Sequence, residues 1–534
     1  MPRRVVLRMM SSGVGVLLAA ACGPGSQARN TPVAATSGGA PVQATPAPVT
    51  VTAQSQPKAG GTLRVGTVGD LVSLDGHLHS GNTSIWFVYD RLTAYDPTLR
   101  PQPMLAESWD ISDDSRQIKL SLRRGVQFHS GRELTSDDVK YNLLRVANPR
   151  TGAGQMQPLA SWWTTIDLPD KYTAVLQSDR PRPTTFDLFE YLNILDKNTM
   201  DGPDAKTTAV GTGPFAFVEW AQGDHLSLAR NKNYWQTGRP YLDQLSISIL
   251  RDQQSQVAQL EAGALDIINN PPLSDFVRLR QDPGYQGLAH SGTGGFYLIG
   301  VNTTYPPLDN KLVRQALNYA LDRKRFVDTV LLGVSEAESL PWRAGSPAYE
   351  SSKQNFYTFD LDRARSLLAQ AGVSQLELDI LLYLPSAEYV GMAQIYQADL
   401  AQIGVTLNIK TQDVGTWLDQ VNNRKYRGLY SGPGAYAHLA PSTCFNSGKA
   451  SNPADNNSGY RDDQYTQLIN ASASEVDADK LKADYSALNA LFLDESFVMT
   501  LAPVLPIQVA RSNVRGVAYS RHEDVLHTDT WIDR

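Results

Sequence analysis

Short stretches of the chain alternate hydrophobic and polar residues with a period of two, which is typical of strands with one buried face. Residues 118–122 and 245–249 show this alternation most clearly. Other stretches place hydrophobic residues three and four positions apart, which indicates amphipathic helices. One such helix is predicted to begin after Asp309. Another spans about 360–371 and ends at Gly372, a residue type suited to the left-handed turn that closes a helix.

Strands and helices also alternate with each other along the chain. A predicted strand at 376–382 precedes a helical stretch that leads to Gly404, and a second strand follows at 405–409. This order predicts a βαβ unit, so the fold class is α/β and at least one sheet is partly parallel. Further upstream, Thr135 and Asp138 have the spacing of a capping box, which predicts the start of a helix.

The composition fits a large, loop-rich protein of two or three structural units. The chain has 534 residues, 42% of them hydrophobic, with 40 Gly and 31 Pro. Its net charge of -6 argues against a nucleic-acid partner, because proteins that bind nucleic acids usually present a basic surface.

The first residues resemble a bacterial lipoprotein signal peptide. Three arginines within the first eight residues precede an apolar run at 14–21, which ends at Cys22. The resemblance implies a signal peptide at 1–21 and lipidation of the Cys22 thiol, although such signals usually carry Leu where this chain has Ala19. An ordinary secretory signal cut nearby is the alternative. The Arg3-Arg4 pair also resembles, weakly, a twin-arginine export signal, so the export route stays open.

Residues 22–59 are predicted to form the lipid anchor and a flexible linker. From residue 23 this segment contains no acidic or aromatic residue and is rich in Ala, Thr, Pro, Gly and Ser, so it cannot bury enough apolar surface to fold. No later segment has the roughly 20 uninterrupted apolar residues of a spanning helix. With Cys22 acylated, Cys444 has no partner for an intrachain disulfide.

The sequence carries no recognisable catalytic motif. The Gly448-Lys449 pair lacks the upstream Gly and the following Ser or Thr of a phosphate-binding loop. His-Glu-x-x-His, Gly-x-Ser-x-Gly and Cys-x-x-Cys do not occur. His77 and His79 lie two residues apart without a third ligand or a carboxylate cluster, so no metal and no cofactor are predicted. The protein is predicted not to be an enzyme.

Three blocks of sequence resemble the bacterial extracellular solute-binding proteins of family 5, the peptide- and nickel-binding class that serves ABC importers. The resemblance extends from Gly60 to about Val509. The resemblance opens with a strand and the loop after it, at 60–63 and 73–75. The first block is 105–109 with 122–139, the second is 211–215 with 230–243, and the third is 313–323.

This resemblance implies a two-lobed clamp of the periplasmic-binding-protein type (type II, cluster C) with an inserted extra domain. Strand crossings near 296–301 and 500–504 would form its hinge. The implied role is extracytoplasmic capture of a small ligand and its delivery to ABC permease subunits, by a monomer attached to the membrane through its lipid anchor only. The implied domains are lobe I at 60–84, 200–295 and 502–534, the insert at 85–199, and lobe II at 296–501.

The family contacts its ligand through the loop after the first strand and through segments of the second lobe. Carried over by position, the first-lobe candidates are Ser73, Leu74, Asp75 and His77. The second-lobe candidates are Tyr383, Trp417, Tyr430, Gly432, Gly434, Tyr436 and His438. Trp417 also shares a helical apolar face with its neighbours, which predicts core packing as the alternative. The Gly-Pro-Gly sequence within this stretch favours a rigid turn that carries a site.

The chain departs from the peptide binders at one of these positions. Those proteins carry an Asp that pairs with the peptide's α-amino group, and Tyr436 stands at the matching position. A peptide or peptide-like solute is still the first prediction, although recognition of a free α-amine is in doubt. A metal chelate, for which nickel binders place a His near His438, or a sugar is the alternative. A lipoprotein receptor or chaperone without a transporter would show the same fold.

Overall fold

A computed structural model describes most of the chain after the predicted linker. The described residues are 56–78, 86–96, 98–154, 156–202, 205, 207–290, 295–383, 386–434, 439–520 and 525–534. The predicted signal peptide, the lipidation site Cys22 and the candidate site residues Tyr436 and His438 therefore lie outside the described residues.

The strands fall into three larger sheets and several two-stranded ones. Their bounds are β1 Thr62–Thr67, β2 Thr93–Tyr95, β3 Pro101–Pro103, β4 Ala106–Ile111, β5 Gln117–Leu122, β6 Trp163–Asp170, β7 Thr173–Ser178, β8 Phe215–Ala221, β9 His225–Arg230, β10 Gln244–Ile249, β11 Ile267–Asn269, β12 Tyr285–Ala289, β13 Gly295–Val301, β14 Leu376–Leu382, β15 Val405–Thr411, β16 Gly428–Gly434, β17 Val498–Val504, β18 Ile507–Arg511, β19 Val514–Arg515, β20 Ala518–Tyr519, β21 Val525–Leu526 and β22 Trp531–Ile532.

The α-helices pack on the faces and ends of these sheets. Their bounds are α1 Ser136–Ala147, α2 Met156–Ala160, α3 Thr185–Tyr191, α4 Lys197–Met200, α5 Gln253–Glu261, α6 Leu273–Leu279, α7 Lys311–Tyr319, α8 Arg323–Arg325, α9 Leu361–Gln370, α10 Ala387–Ala401, α11 Val414–Asn422, α12 Pro441–Ser447, α13 Asp463–Ser472 and α14 Ala478–Glu495.

The sequence patterns identify several of these elements correctly. The predicted βαβ unit is confirmed, because β14 and β15 flank α10 in the chain and pair in parallel. The capping-box prediction is also confirmed. The Asp138 carboxylate accepts a hydrogen bond from the Thr135 backbone N–H at 3.0 Å, which satisfies a donor that the first turn of a helix leaves free.

Each of the three larger sheets lies in a different part of the chain. The first lobe contains the seven-stranded sheet, in the order β12-β18-β11-β1-β10-β9-β8. The second lobe contains the five-stranded sheet, in the order β15-β14-β16-β13-β17, with hydrophobic clusters on both of its faces. Segment 85–199 (the insert) contains the four-stranded antiparallel sheet β4-β5-β7-β6.

The chain passes between the two large sheets at two neighbouring places. It leaves the first lobe after β12 and enters the second lobe as β13, and it returns from β17 to β18 through Leu505 and Pro506. The two strands on each side are themselves antiparallel partners, β12 with β18 and β13 with β17. A pair of adjacent crossings can bend together, which is the geometry of a hinge. The exact domain boundaries stay a prediction.

Among the described residues, no helix is long and apolar enough to cross a membrane. The longest of them, α14, has 18 residues and carries charged residues along its length.

One glycine in the first crossing strand is required by packing. Gly300 of β13 lies directly across from Tyr430 of β16, and the Tyr430 ring covers the Gly300 Cα at a distance that leaves no room for a Cβ atom. Tyr430 itself is only 2% exposed and contacts the rings of Trp417 and Tyr426. The ring therefore cannot move aside without disturbing the core.

Replacing Gly300 with Ala should destabilise the protein by about 1–3 kcal/mol through overpacking. The measurement is the free energy of unfolding in urea. Gly69→Ala is the matched control, because a Cβ atom at Gly69 meets nothing within 4 Å and should change stability by less than about 0.5 kcal/mol. Equal effects of the two substitutions would show that the Tyr430 ring is free to move.

Candidate functional site

The first-lobe candidates form a loop that is bound to the insert. The Asp75 carboxylate accepts hydrogen bonds from the Arg145 guanidinium of α1, at 2.5 Å from Nη2 and 3.1 Å from Nη1. The Asp75 backbone N–H donates to Ser73 Oγ at 3.0 Å, and the Leu74 carbonyl accepts from the Tyr89 hydroxyl at 3.0 Å. Asp75 is thus a structural ion-pair partner in the described structure, with its charge already balanced.

His77 is also fully engaged. Its ring is 1% exposed, and Nε2 lies 3.0 Å from the Asn193 carbonyl oxygen, so Nε2 must carry the proton and donate. Nδ1 then accepts from Arg145 Nη1 at 2.7 Å. A neutral imidazole with both nitrogens occupied has no lone pair left for a metal or a ligand.

The second-lobe candidates Tyr383, Trp417 and Gly432 pack against one another. The Tyr383 and Trp417 rings meet edge to face with centroids 5.0 Å apart. A Cβ atom on Gly432 would come within 2.8 Å of the Trp417 ring. Trp417 is 5% exposed, and its Nε1–H donates to the Leu381 carbonyl at 3.3 Å. Trp417 therefore has the core position that its helical apolar face predicts.

Strand direction brings two candidate segments to the same edge of the second-lobe sheet. β14 and β16 are parallel neighbours, so Tyr383, which follows β14, and Gly434, the last residue of β16, lie at the same edge of the sheet. Ligands of open α/β sheets bind outside the carboxyl ends of such strands. A Cβ atom on Gly434 would overlap Leu298, so only glycine fits at the end of β16.

A residue that the sequence analysis missed connects the insert to the second lobe. Asp187 of α3 is completely buried. Its carboxylate accepts hydrogen bonds from the Tyr95 hydroxyl at 2.9 Å, from the Ala440 backbone N–H at 3.2 Å and from Thr443 Oγ1 at 2.5 Å. Ala440 precedes α12 and has no side chain that could cap the helix. The Asp187 carboxylate supplies this missing acceptor from the insert. We call the contact of α3 with Ala440 and α12 the seam.

Burial controls the charge at the seam. It raises the pKa of Asp187 to about 6, although the hydrogen bonds from Thr443, Ala440 and Tyr95 oppose the shift. Burial also raises the pKa of Glu190 to about 6, although the positive charge of Arg91 lowers it. Arg91 Nη1 lies 2.9 Å from the Glu190 carboxylate. The sequence does hold a signal for both acids, since they lie three residues apart on a helix that is otherwise rich in Phe and Leu.

Within the part of the chain that the structure describes, no group of three His, Cys, Asp or Glu side chains is arranged to hold a metal ion.

Breaking the pair of Asp75 and Arg145 should be costly because both side chains are mostly buried, at 10% and 20% exposure. Arg145→Gln should lower the free energy of unfolding by about 3 kcal/mol, since it leaves a carboxylate without its cation. Arg150→Gln, on the exposed turn that follows α1, is the control and should change little.

The double variant Asp75→Asn with Arg145→Gln should lose less stability than the sum of the two single variants, because the uncompensated charge is removed. Additive losses in urea unfolding would mean that the two side chains do not interact.

The raised pKa of Asp187 predicts a specific pH dependence. A folded-state pKa near 6 exceeds the unfolded value of about 3.9, so protonated Asp187 favours the folded state below about pH 4. That contribution, about 2–3 kcal/mol, is lost as the pH rises through 6. Asp187→Asn removes the titration while its Oδ1 still accepts from Ala440 and its amide can donate to Thr443.

The measurement is the difference in unfolding free energy between Asp187→Asn and wild type from pH 4.5 to 8. The Asp187→Asn variant should gain stability relative to wild type as the pH rises, and this gain should level off above pH 7. Glu190 contributes to the difference only through the Asp187 charge, which raises the pKa of Glu190 in the wild type and is absent in the variant. Asp187→Ala should be less stable than Asp187→Asn at every pH, because the three donors then lack an acceptor. A difference that does not change with pH would contradict the assignment.

Comparison with known proteins agrees with the clamp geometry. The sequence model of the bacterial extracellular solute-binding proteins, family 5 Middle, matches residues 100–455. Heme-binding protein A of Haemophilus influenzae is 30% identical over 384 residues, which cover 66% of this chain and 69% of that protein. Di/tripeptide-binding protein 2 of Pseudomonas aeruginosa is 26% identical over 466 residues, which cover 81% of this chain and 87% of that protein.

A solved structure shares the fold over nearly its whole length. The ABC transporter-associated periplasmic binding protein DppA from Helicobacter pylori, in complex with the peptide STSA, superposes with a TM-score of 0.76 at 22% sequence identity, covering 89% of this chain and 99% of that chain. The predicted fold class, a two-lobed α/β clamp of the periplasmic-binding-protein type, is thereby confirmed. The chain belongs to the bacterial extracellular solute-binding proteins of family 5.

Proposed function

We propose that this protein is the solute-binding component of an ABC importer, held outside the cell membrane by a lipid on Cys22, and that it captures a peptide or peptide-like solute. The observation that carries the proposal is the pair of adjacent crossings, β12 to β13 and β17 to β18, between two sheets. Such a hinge lets the lobes close on a solute and open again to release it to the permease. Membership of family 5 supports the same role.

The chemistry of the candidate ligand residues favours a ligand without a free α-amine. Tyr436 is a neutral phenol at pH 7, with a reference pKa of about 10, so it cannot neutralise an ammonium group. Asp75, the acidic residue among the predicted ligand residues, is already paired with Arg145. Asp187 is completely buried at the seam and is not one of the predicted ligand residues. A buried ammonium group would thus lack a free counter-charge among these residues, which is unfavourable.

The proposal retains the predicted domain boundaries. The first lobe comprises 60–84, 200–295 and 502–534, the insert 85–199 and the second lobe 296–501. Tyr383, Gly432, Gly434, Tyr436 and His438 line the second-lobe side of the cleft. The protein acts as a monomer, without catalysis.

Ligand identity is tested by native mass spectrometry of the protein purified without denaturation. A bound mass that matches a peptide or a blocked peptide supports the proposal. One curated relative is named a heme-binding protein, so the same sample is measured for heme absorption and for metal by elemental analysis. Stoichiometric heme or a metal chelate in place of a peptide would overturn the peptide assignment and leave the family intact.

The absence of α-amine recognition is tested by calorimetry with one peptide, taken from the co-purified mass, in free and N-acetylated forms. Near-equal affinity is expected. A preference for the free amine of about a hundredfold, or about 2.7 kcal/mol, would contradict the expectation and indicate that Asp75 leaves Arg145 to bind the ligand. The Asp75→Asn variant is then the control, since it should abolish that preference.

The anchor is tested by replacing Cys22 with Ser and fractionating cells. The variant should move from the membrane to the soluble fraction, because the diacylglyceryl group provides the hydrophobic attachment. Cys444→Ser is the matched control, since Cys444 is buried in the second lobe, and it should stay with the membrane. A Cys22 variant that still sediments with membranes would exclude lipidation as the attachment.

A further inference from the structure

Three tyrosine rings lie at the carboxyl edge of β14, the edge of the second-lobe sheet that borders the proposed cleft. Tyr383 follows β14 directly. Tyr297 of β13 stands opposite Pro433 of β16, so it reaches the same edge. Tyr389 lies in the first turn of α10, and its ring meets the Tyr297 ring edge to face with centroids 5.5 Å apart. Neither Tyr297 nor Tyr389 is a ligand candidate by the family resemblance.

The hydroxyl groups of these three tyrosines are open to a ligand. Tyr389 is 7% exposed, and Tyr297 and Tyr383 are half-buried. Within the part of the chain that the structure describes, none of the three hydroxyls has a hydrogen-bond partner, and each remains accessible to water. A phenol can both donate and accept a hydrogen bond. The rings are therefore fixed by packing while their polar ends face the solvent of the cleft.

Glu388 adds a negative charge to this group of tyrosines. It is half-buried in the first turn of α10, and its carboxylate has no hydrogen-bond or ion-pair partner among the described residues. Burial raises the pKa of Tyr297 and of Tyr389, and the nearby Glu388 carboxylate raises both further. No described cation opposes these shifts. The cluster of Glu388, Tyr297, Tyr383 and Tyr389 thus has one unpaired carboxylate, neutral phenols and no described positive charge beside them.

An unpaired carboxylate beside aromatic rings is complementary to a cation. An ammonium or guanidinium group donates charge-assisted hydrogen bonds to a carboxylate, and these are stronger than hydrogen bonds between neutral groups. The face of a tyrosine ring attracts a cation as well. Closing the cleft over a neutral solute would withdraw the Glu388 carboxylate from water without a partner, which is unfavourable. The charge at this edge therefore favours a solute that brings a positive group.

We propose that Glu388, with the side chains of Tyr297 and Tyr389, binds a basic side group of the transported solute. The inference rests on the proposed function, which places this edge in the cleft. The cation is not the α-amine. The position at which peptide binders of the family receive the α-amine follows β16 and holds Tyr436, whereas Glu388 belongs to α10, which follows the neighbouring strand β14. The solute is thus a peptide-like molecule with a blocked α-amine and a basic side chain.

The test titrates N-acetylated tripeptides of alanine onto the full-length protein by calorimetry. The peptides carry lysine at the first, second or third position, and each has a norleucine counterpart with the same stem but no ammonium group. In at least one pair the lysine peptide should bind at least about tenfold more tightly. Glu388→Gln should reduce this preference to within about twofold. Glu377→Gln is the matched control, because Glu377 is an exposed acid at the opposite end of β14, and it should keep the preference.

Two variants at Tyr297 separate the ring from its hydroxyl. Tyr297→Phe keeps the ring and should keep most of the preference for lysine, whereas Tyr297→Leu should reduce it about two- to fivefold. Unchanged circular dichroism shows that the variants fold.

Lysine and norleucine peptides that bind wild type equally would overturn this inference and still support peptide capture. A preference that survives Glu388→Gln, or binding of none of the six peptides, would also overturn it. The mass of the co-purified solute decides the proposed function independently of these outcomes.

Discussion

The buried carboxylate of Asp90 is the interaction on which the junction between the first lobe and the insert depends. It is 2% exposed and accepts from Trp235 Nε1 at 2.8 Å, Thr212 Oγ1 at 3.0 Å and the Tyr234 hydroxyl at 3.2 Å. Burial raises the pKa of Asp90, and these donors oppose the shift. The three donors belong to segments that are far from Asp90 in sequence, so satisfying one acid fixes where the chain leaves the first lobe and where it returns. The second block of the family resemblance, 211–215 with 230–243, contains all three.

A buried carboxylate also holds two other contacts together, with a different kind of partner at each. Asp75 holds the loop after β1 against α1 through a cation, Arg145, whereas Asp187 crosses the seam and meets only neutral donors. A mostly buried ion pair is expensive to break, so it holds this first-lobe loop firmly against the insert. A carboxylate with neutral donors and a raised pKa costs less to release, because exposure to water recovers the solvation of its charge. The weaker arrangement thus lies between the insert and the second lobe.

Local sequence patterns predict helices and strands, but they do not predict which side chains contact each other across the fold. The period-two strands, the βαβ unit and the capping box of α1 arise from residues close together in the chain, and the structure has them. His77 and Asp75 are ligand candidates by their positions in the family resemblance, and their actual partners are too distant in sequence to be predicted: Arg145 is 70 residues from Asp75, and Asn193 is 116 residues from His77. Tyr430 and Trp417 were candidates for the cleft because of their positions in the family resemblance. Glycines instead admit these rings into the core, as Gly300 does for Tyr430 and Gly432 does for Trp417.

These placements change what the cleft offers a ligand. Once Asp75 and His77 are bound to Arg145, and Trp417 and Tyr430 are packed beneath the sheet edge, the described candidates contribute shape, backbone groups and the Tyr383 ring. Interactions of that kind are short-ranged and depend on fit, whereas a free carboxylate would select any ammonium group by charge. Selectivity in such a cleft comes from excluding ligands that leave a charge unpaired on closure. Under the proposed function, closure would desolvate the whole ligand, so a charged terminus without a partner would oppose closure as well as binding.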